Sequence, residues 1–234
     1  MDRLTRKGLK QDKFALEVGH TVEYLGEHRK KLILYGGIGL AVLAMGVGWF
    51  YYNQRQHANR QRELTAAMAL MNAPVGPTAV PGYVTFETAD LRNRAAVKAL
   101  TNLATKSAGS EEGTIARYYL GTAAVSQGRL DEAVKHLSDA ASSGNQAYAS
   151  LAKLALADVY SVQNKTADAE KLLRNLMDNP TILVSKEEAT ITLARLLAPD
   201  KPEEARKLLD PLRSAPGAVG RAATAAYSEL ALAK

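Results

Sequence analysis

The longest apolar segment of the chain runs from Leu32 to Tyr52 and contains 21 residues without a charge. At about 1.5 Å of rise per residue, a helix of this length spans about 31 Å, the thickness of a bilayer core. The core helices of soluble proteins rarely contain so long an uncharged run. The pattern therefore predicts a transmembrane helix over residues 32–52.

The residues around this segment predict its orientation. Residues 1–31 hold 8 Lys/Arg against 5 Asp/Glu, and the aromatic run Trp49–Tyr52 lies at the other end, where such rings favour the headgroup layer. The excess of basic residues before the segment places residues 1–31 in the cytoplasm and the rest of the chain outside it. The apolar run exceeds the 7–15 residues usual in a cleaved signal peptide, and no small-residue cleavage site follows. An uncleaved signal anchor is therefore expected.

Small residues share one face of the predicted membrane helix. Gly37, Ala41, Ala44 and Gly48 recur at spacings of four, three and four. Such a face allows a second helix to approach closely in lipid, which makes these four residues candidates for helix packing. The alternative is the general abundance of Gly and Ala in membrane helices.

An amphipathic pattern precedes the membrane segment. Phe14, Val18, Val22 and Leu25 form one apolar stripe within the predicted lead-in, residues 1–31. This lead-in either lies on the inner leaflet or is a solvated approach to the anchor.

Residues 53–87 predict a helix that continues from the membrane and then a loop rich in Pro and Gly. A further helix is predicted near Thr88–Lys106, with Leu91, Val97, Leu100 and Leu103 as its apolar face.

Apolar and small residues then recur with a period of about 36 residues in three segments, Ile115–Ala141, Leu151–Met177 and Glu187–Leu212. The third segment has one residue deleted in its turn. Each segment has a small residue in a first helix and another at the start of a second helix. In chain order, these are Gly121 and Ala133, Ala157 and Ala169, and Ala194 and Ala205. Carboxylates (Asp131, Asp168 and Glu203) begin the second helices, where they suit the positive end of the helix dipole.

These segments resemble the tetratricopeptide repeat, a helix–turn–helix unit of about 34 residues. The resemblance implies an all-α fold, with the N-terminal transmembrane helix followed by an α-solenoid over residues 88–234. The amphipathic stretch Arg221–Ala233 is expected to cap the solenoid, because the terminal edge of a repeat stack needs cover.

The same resemblance implies that the first helices line a concave, protein-binding face. The predicted inward positions are Tyr118, Thr122, Val125, Leu154, Asp158, Ser161, Ile191 and Arg195. The Lys/Asn set that clamps C-terminal carboxylates in chaperone-binding members is absent, because Tyr118 and Thr122 occupy those positions. Each of the eight could instead serve packing.

The chain offers no reaction centre, and an enzyme is not expected. It has no cysteine, so thiolate metal sites are excluded, and its four histidines lie on different segments without metal-ligand spacing. No catalytic residue, metal, cofactor or small-molecule substrate is predicted. The net charge of +6 does not indicate nucleic-acid binding, because no basic stripe with interleaved aromatic residues appears. A lipid bilayer is the expected non-protein partner.

The whole arrangement resembles the YfgM-like family, the ancillary subunit of the bacterial SecYEG translocon. The features that carry this resemblance are the lead-in Phe14–Arg29, the Gly/Ala-rich anchor ending in Gly48-Trp49 and Tyr52, and the degenerate repeats. The resemblance implies a single-pass protein of the bacterial inner membrane, with a cytoplasmic N-terminus and periplasmic repeats. Its implied partners are the Sec translocon, a periplasmic chaperone of the PpiD type, or secreted chains. The alternative is a coordinator of envelope assembly or cell division that uses the same repeats as a docking platform.

Overall fold

A computed structural model of the chain describes residues 29–78 and 80–232, and the predicted lead-in lies outside this part except for residues 29–31. The described residues form nine α-helices and no strand, which confirms the predicted all-α fold. The helices are α1 (Arg29–Met71), α2 (Ala89–Lys106), α3 (Glu111–Ser126), α4 (Leu130–Ala141), α5 (Gln146–Val162), α6 (Thr166–Asp178), α7 (Lys186–Leu197), α8 (Pro202–Arg213) and α9 (Gly217–Leu232).

The chain divides into two compact units, residues 1–58 and residues 59–234. The described part of the first unit is helical throughout and belongs to α1. Its apolar side chains are exposed, from 47% at Val47 to 73% at Leu40. The stretch that begins at Ile33 is long and apolar enough to span a bilayer, and none of its apolar window is buried in protein.

The second unit is a succession of packed helices. Each helix from α2 to α8 packs against the next one in the chain, and α3 also contacts α5 as α7 contacts α9. The end of α1 contributes Ala67 to a buried cluster that includes Leu100, Leu103 and Leu120 from α2 and α3. This connectivity is the stack of helix pairs that the 36-residue period predicts.

From α3 to α8, helices with and without a side-chain cap alternate along the chain. The side chains of Thr88, Ser110, Asn145 and Ser185 accept a hydrogen bond from an amide in the first turn of α2, α3, α5 and α7. The second helices α4, α6 and α8 have no such side-chain cap, and each has acidic residues in its first turn. The predicted positions of Asp131, Asp168 and Glu203 are therefore confirmed. Their carboxylates complement the amides that the missing caps leave free.

The turn between the two helices of a pair uses the same backbone conformation twice. Gly128 and Asn164 lie 36 residues apart, and both have a left-handed backbone, with φ of 72° and 59°. Glycine and asparagine are the residues that adopt this conformation most readily. The periodicity thus extends to the turns.

The predicted small residues lie at the crossings of the helix pairs. Ala133, Ala169, Ala194 and Ala205 are completely buried, and Ala157 is nearly so. A Cβ atom at Gly121 would lie 2.5 Å from Cγ of Leu137, so α3 and α4 approach so closely that a larger residue there would require Leu137 to shift. Leu137, Leu173 and Leu209 repeat at the same period and fill the buried layer.

One position on the predicted apolar face of α2 is wrong. Leu100 and Leu103 are buried, but Leu91 is 46% exposed. Leu91 lies in the first turn of α2, and the buried residues of this helix begin only at Ala96. The segment between α1 and α2 is the predicted loop, closed by hydrogen bonds from the Gly76 amide to the Phe86 carbonyl and from the Phe86 amide to the Pro74 carbonyl.

Candidate protein-binding surface

The eight residues predicted to bind protein lie on the first helices of three consecutive pairs. α3 carries Tyr118, Thr122 and Val125, α5 carries Leu154, Asp158 and Ser161, and α7 carries Ile191 and Arg195. We call these eight residues the first-helix surface. α3 and α5, the first helices of successive pairs, contact each other.

The α3 part of the surface combines an aromatic contact with a more open end. The ring of Tyr118 is half-buried and packs edge-on against Tyr148 of α5, with ring centroids 5.9 Å apart. Burial raises the pKa of Tyr118 above its ordinary value of 10.0, which favours the protonated hydroxyl further. The Thr122 hydroxyl donates to the carbonyl of Tyr119 at 3.0 Å. Val125 is 38% exposed and offers apolar surface near the end of the helix.

Like the α3 part, which has no charged side chain, the α5 part carries little charge. Leu154 is half-buried and packs against the cluster that contains Ile191, whereas Asp158 and Ser161 are exposed. Surrounding protein reduces the hydration of the Asp158 carboxyl and raises its pKa, although the side chain still reaches solvent.

The α7 part is closed on one side. Ile191 is only 6% exposed and belongs to the core, so it offers almost no surface to a partner. The Arg195 guanidinium is half-exposed and pairs with Glu229 of α9, with Nε and Oε2 3.4 Å apart. The charge of Arg195 is therefore balanced by α9.

Two residues of this region were not among the sequence-predicted site residues. Val162 follows Ser161 at the end of α5 and is 68% exposed, which makes it more accessible than Val125. Tyr148 lies in the first turn of α5 and supports the ring of Tyr118. Val162 could have been predicted, because it is an apolar residue directly after the predicted inward position Ser161. The contact of Tyr148 depends on the packing of α5 against α3 and has no local signature.

The small residues of α1 have no packing partner in the part of the chain that the structure describes. A Cβ atom at Gly37 or at Gly48 would meet nothing within 4 Å. The packing role predicted for these two residues, and for Ala41 and Ala44, therefore requires a second helix from another molecule and remains a prediction.

No metal centre is formed by the described residues, since no group of three or more His, Asp or Glu side chains could hold an ion. The first-helix surface contains hydroxyl, aromatic and aliphatic groups, the exposed carboxylate of Asp158 and the half-exposed guanidinium of Arg195. This arrangement can bind a polypeptide through apolar contacts and hydrogen bonds.

Comparison with known proteins identifies the architecture. A family model described as a tetratricopeptide repeat-like domain matches residues 27–207, which include all of α1, five of the six helices of the three repeats and the first half of the sixth, α8. No curated protein and no solved structure gives a significant match.

Proposed function

The chain belongs to the tetratricopeptide repeat-like domain family, and from this premise we propose that it is a membrane-anchored scaffold that binds other proteins on its first-helix surface. Domains of this kind mediate protein–protein interactions and are typically non-enzymatic. The observation that carries the anchor is the exposure of every large apolar side chain from Ile33 to Tyr52. Soluble monomers rarely expose an apolar patch of that size, and a bilayer would cover it.

The topology that we propose has residues 1–31 in the cytoplasm and the repeats in the periplasm of a bacterial inner membrane. The support is the excess of basic residues before the apolar segment and the aromatic residues at its end. Protease added to spheroplasts should digest the repeats, and the same repeats should be protected in inverted vesicles. Protection in spheroplasts would contradict this orientation.

The partners that we propose are the Sec translocon, a PpiD-type periplasmic chaperone, and secreted chains. The support is the resemblance of the anchor and repeats to the YfgM-like family. The weakly charged first-helix surface also suits polypeptide segments that are not yet folded, because their apolar side chains are accessible.

Site-specific photocrosslinking in cells tests this function. A photoreactive phenylalanine analogue would replace Val125, Ser161 or Val162 on the exposed part of the surface. Matched controls would replace Lys171 or Lys207, which are exposed on the second helices α6 and α8. We expect crosslinks to translocon subunits or the chaperone from the first set alone.

Two outcomes would contradict the proposal. Equal crosslinking from both sets would show that the first-helix surface has no special role. Crosslinks to division proteins, with enrichment of the chain at the septum, would support the coordinator function instead.

A further inference from the structure

The surplus positive charge of the helical repeats is concentrated in a short part of the chain. Residues 89–129 hold 6 Lys/Arg and 3 Asp/Glu, whereas residues 130–234 hold 13 Lys/Arg and 14 Asp/Glu. Four of those six cations are on α2, with Asp90 as the one acidic residue of that helix. The potential that attracts acidic partners is therefore expected to be strongest around α2.

Two cavities adjoin one another along α2. The first, of about 240 Å³, lies between α2 and the end of α3, and its walls include Met71, Ala96 and Leu100. The second, of about 460 Å³, extends from α2 to the turn between α3 and α4. Asn93, Val97 and Gln127 line both cavities. We call the two together the α2 groove.

Some of the cations around the α2 groove form ion pairs and others do not. Arg94 pairs with Asp90 at 2.8 Å, and Arg129 pairs with Glu132. The Arg92 guanidinium donates to the neutral amide oxygen of Asn93, at 3.3 and 3.1 Å. Within residues 29–78 and 80–232, neither Arg92 nor Lys98 forms an ion pair. Two cations thus remain available to a ligand beside an apolar floor.

We propose that the α2 groove is a second protein-binding site, which takes an acidic segment of a partner protein. Its carboxylates would lie on Arg92 and Lys98, an apolar side chain would contact Val97, and the amides of Asn93 and Gln127 would bond the peptide backbone. No aromatic side chain lines either cavity, so the groove lacks the platforms on which nucleic-acid bases stack. The proposed site adjoins the first-helix surface at Thr122, but the proposal does not depend on the function proposed for that surface.

The test uses the full chain in detergent micelles and a fluorescent peptide that contains glutamates and leucines but no basic residue. Fluorescence anisotropy at low salt should show saturable binding that weakens as salt is added. The double variant R92E/K98E should bind about tenfold more weakly or worse, because two attractive contacts become repulsive. The control K171E/K207E makes the same charge change on α6 and α8 and should alter the affinity by less than about twofold.

A third variant distinguishes a seated peptide from general electrostatic attraction. Asn93 is exposed and lines both cavities, so Asn93→Trp fills the groove without any change in charge. We expect it to weaken peptide binding about tenfold as well, with helix content unchanged by circular dichroism.

Several results would overturn the proposal. The first is that the peptide binds no more tightly than a control peptide with serines in place of its glutamates. The second is that K171E/K207E loses as much affinity as R92E/K98E. The third is that Asn93→Trp keeps full affinity. Glycerol phosphate, a soluble equivalent of an anionic lipid headgroup, serves as a further probe. If R92E/K98E lost glycerol phosphate binding but retained peptide binding, the groove would recognise a lipid headgroup and not an acidic protein segment.

Discussion

Two glycines of the apolar stretch and one glycine of the first repeat have opposite surroundings. Gly37 and Gly48 lie in the apolar stretch of α1, and a Cβ atom at either would meet nothing within 4 Å. Gly121 lies in α3, where the same added atom would collide with Leu137. The comparison teaches that Gly121 is small because another helix of the same chain packs against it. A small residue in the apolar stretch of α1 has no such neighbour in the chain, so it could only allow another molecule to pack there.

The apolar side chains of the two units differ in the same sense. In the first unit they point outward, as they do in a helix surrounded by lipid, whereas in the helix pairs they form buried clusters. Both regions are rich in Leu, Ala and Gly, so composition does not separate them. The absence of charge over 21 residues does.

The largest expected effect comes from placing charge in the apolar stretch. The double variant Leu40→Arg, Leu43→Lys should lose membrane association, since each charge at the centre of a membrane helix costs about 3 kcal/mol. Carbonate extraction of membranes, followed by immunoblotting, measures this loss. The control Leu40→Ala, Leu43→Ala should remain in the membrane pellet, and its release would contradict the anchor.

Truncation of a leucine to alanine should lower the free energy of unfolding in the second unit but not in the first. Leu137 is completely buried, so Leu137→Ala should lower the free energy of unfolding by about 2–5 kcal/mol. Leu40→Ala, at a side chain that is 73% exposed, should leave it unchanged. Urea unfolding in detergent, followed by circular dichroism, measures both. Equal effects would show that the apolar stretch packs inside the folded chain.

Alanine in place of glycine should act with opposite sign in the two units. Gly121→Ala should destabilise the repeats by about 1–3 kcal/mol, because Leu137 must shift to admit the methyl group. Gly37→Ala meets open space and improves helix propensity, so helix content should be unchanged or slightly higher. Thermal melts of the two variants test the difference. A neutral Gly121→Ala would mean that the close approach of α3 and α4 is easily relaxed.

The smallest effect concerns an ion-pair network that joins α6 to α8. Glu170 accepts from Arg174 at 2.7 Å and from Lys201 at 3.2 Å, and Arg174 also pairs with Glu204. Hydrogen bonds from Arg174 and Lys201 lower the pKa of Glu170. Glu170→Gln should therefore cost about 0.5–1 kcal/mol at neutral pH.

The pH dependence of this loss has a defined sign. A carboxyl with a lowered pKa contributes stability above its ordinary value of 4.5 and loses that contribution as the pH falls through its folded value. The difference between Glu170→Gln and the natural chain should thus shrink in acid. Asp210→Asn is the control, because Asp210 is 56% exposed and pairs with Arg213 inside one helix. Melting temperatures at several pH values test both variants.

Much of the fold could be predicted because its signals are local. The 36-residue period placed Gly121, Ala133 and Ala169 at crossings, and the structure buries all three. The acidic first turns of α4, α6 and α8 were predicted in the same way. Less of the candidate site could be predicted. Ile191 shares a repeat position with the half-buried Tyr118 and Leu154, yet it is buried in a cluster to which α9 contributes, since burial depends on the neighbouring helices.

By itself, the sequence determined that the chain is helical, that residues 32–52 carry no charge, and where each helix pair begins and turns. These properties follow from spacing along one helix and from the residue types that its ends require. Only the tertiary structure decided that Leu91 is exposed, that Arg195 pairs with Glu229, and that α2 and α3 leave a cation-rimmed groove between them. Each of these depends on how closely distant segments approach, and the periodicity of a single helix contains no information about that distance.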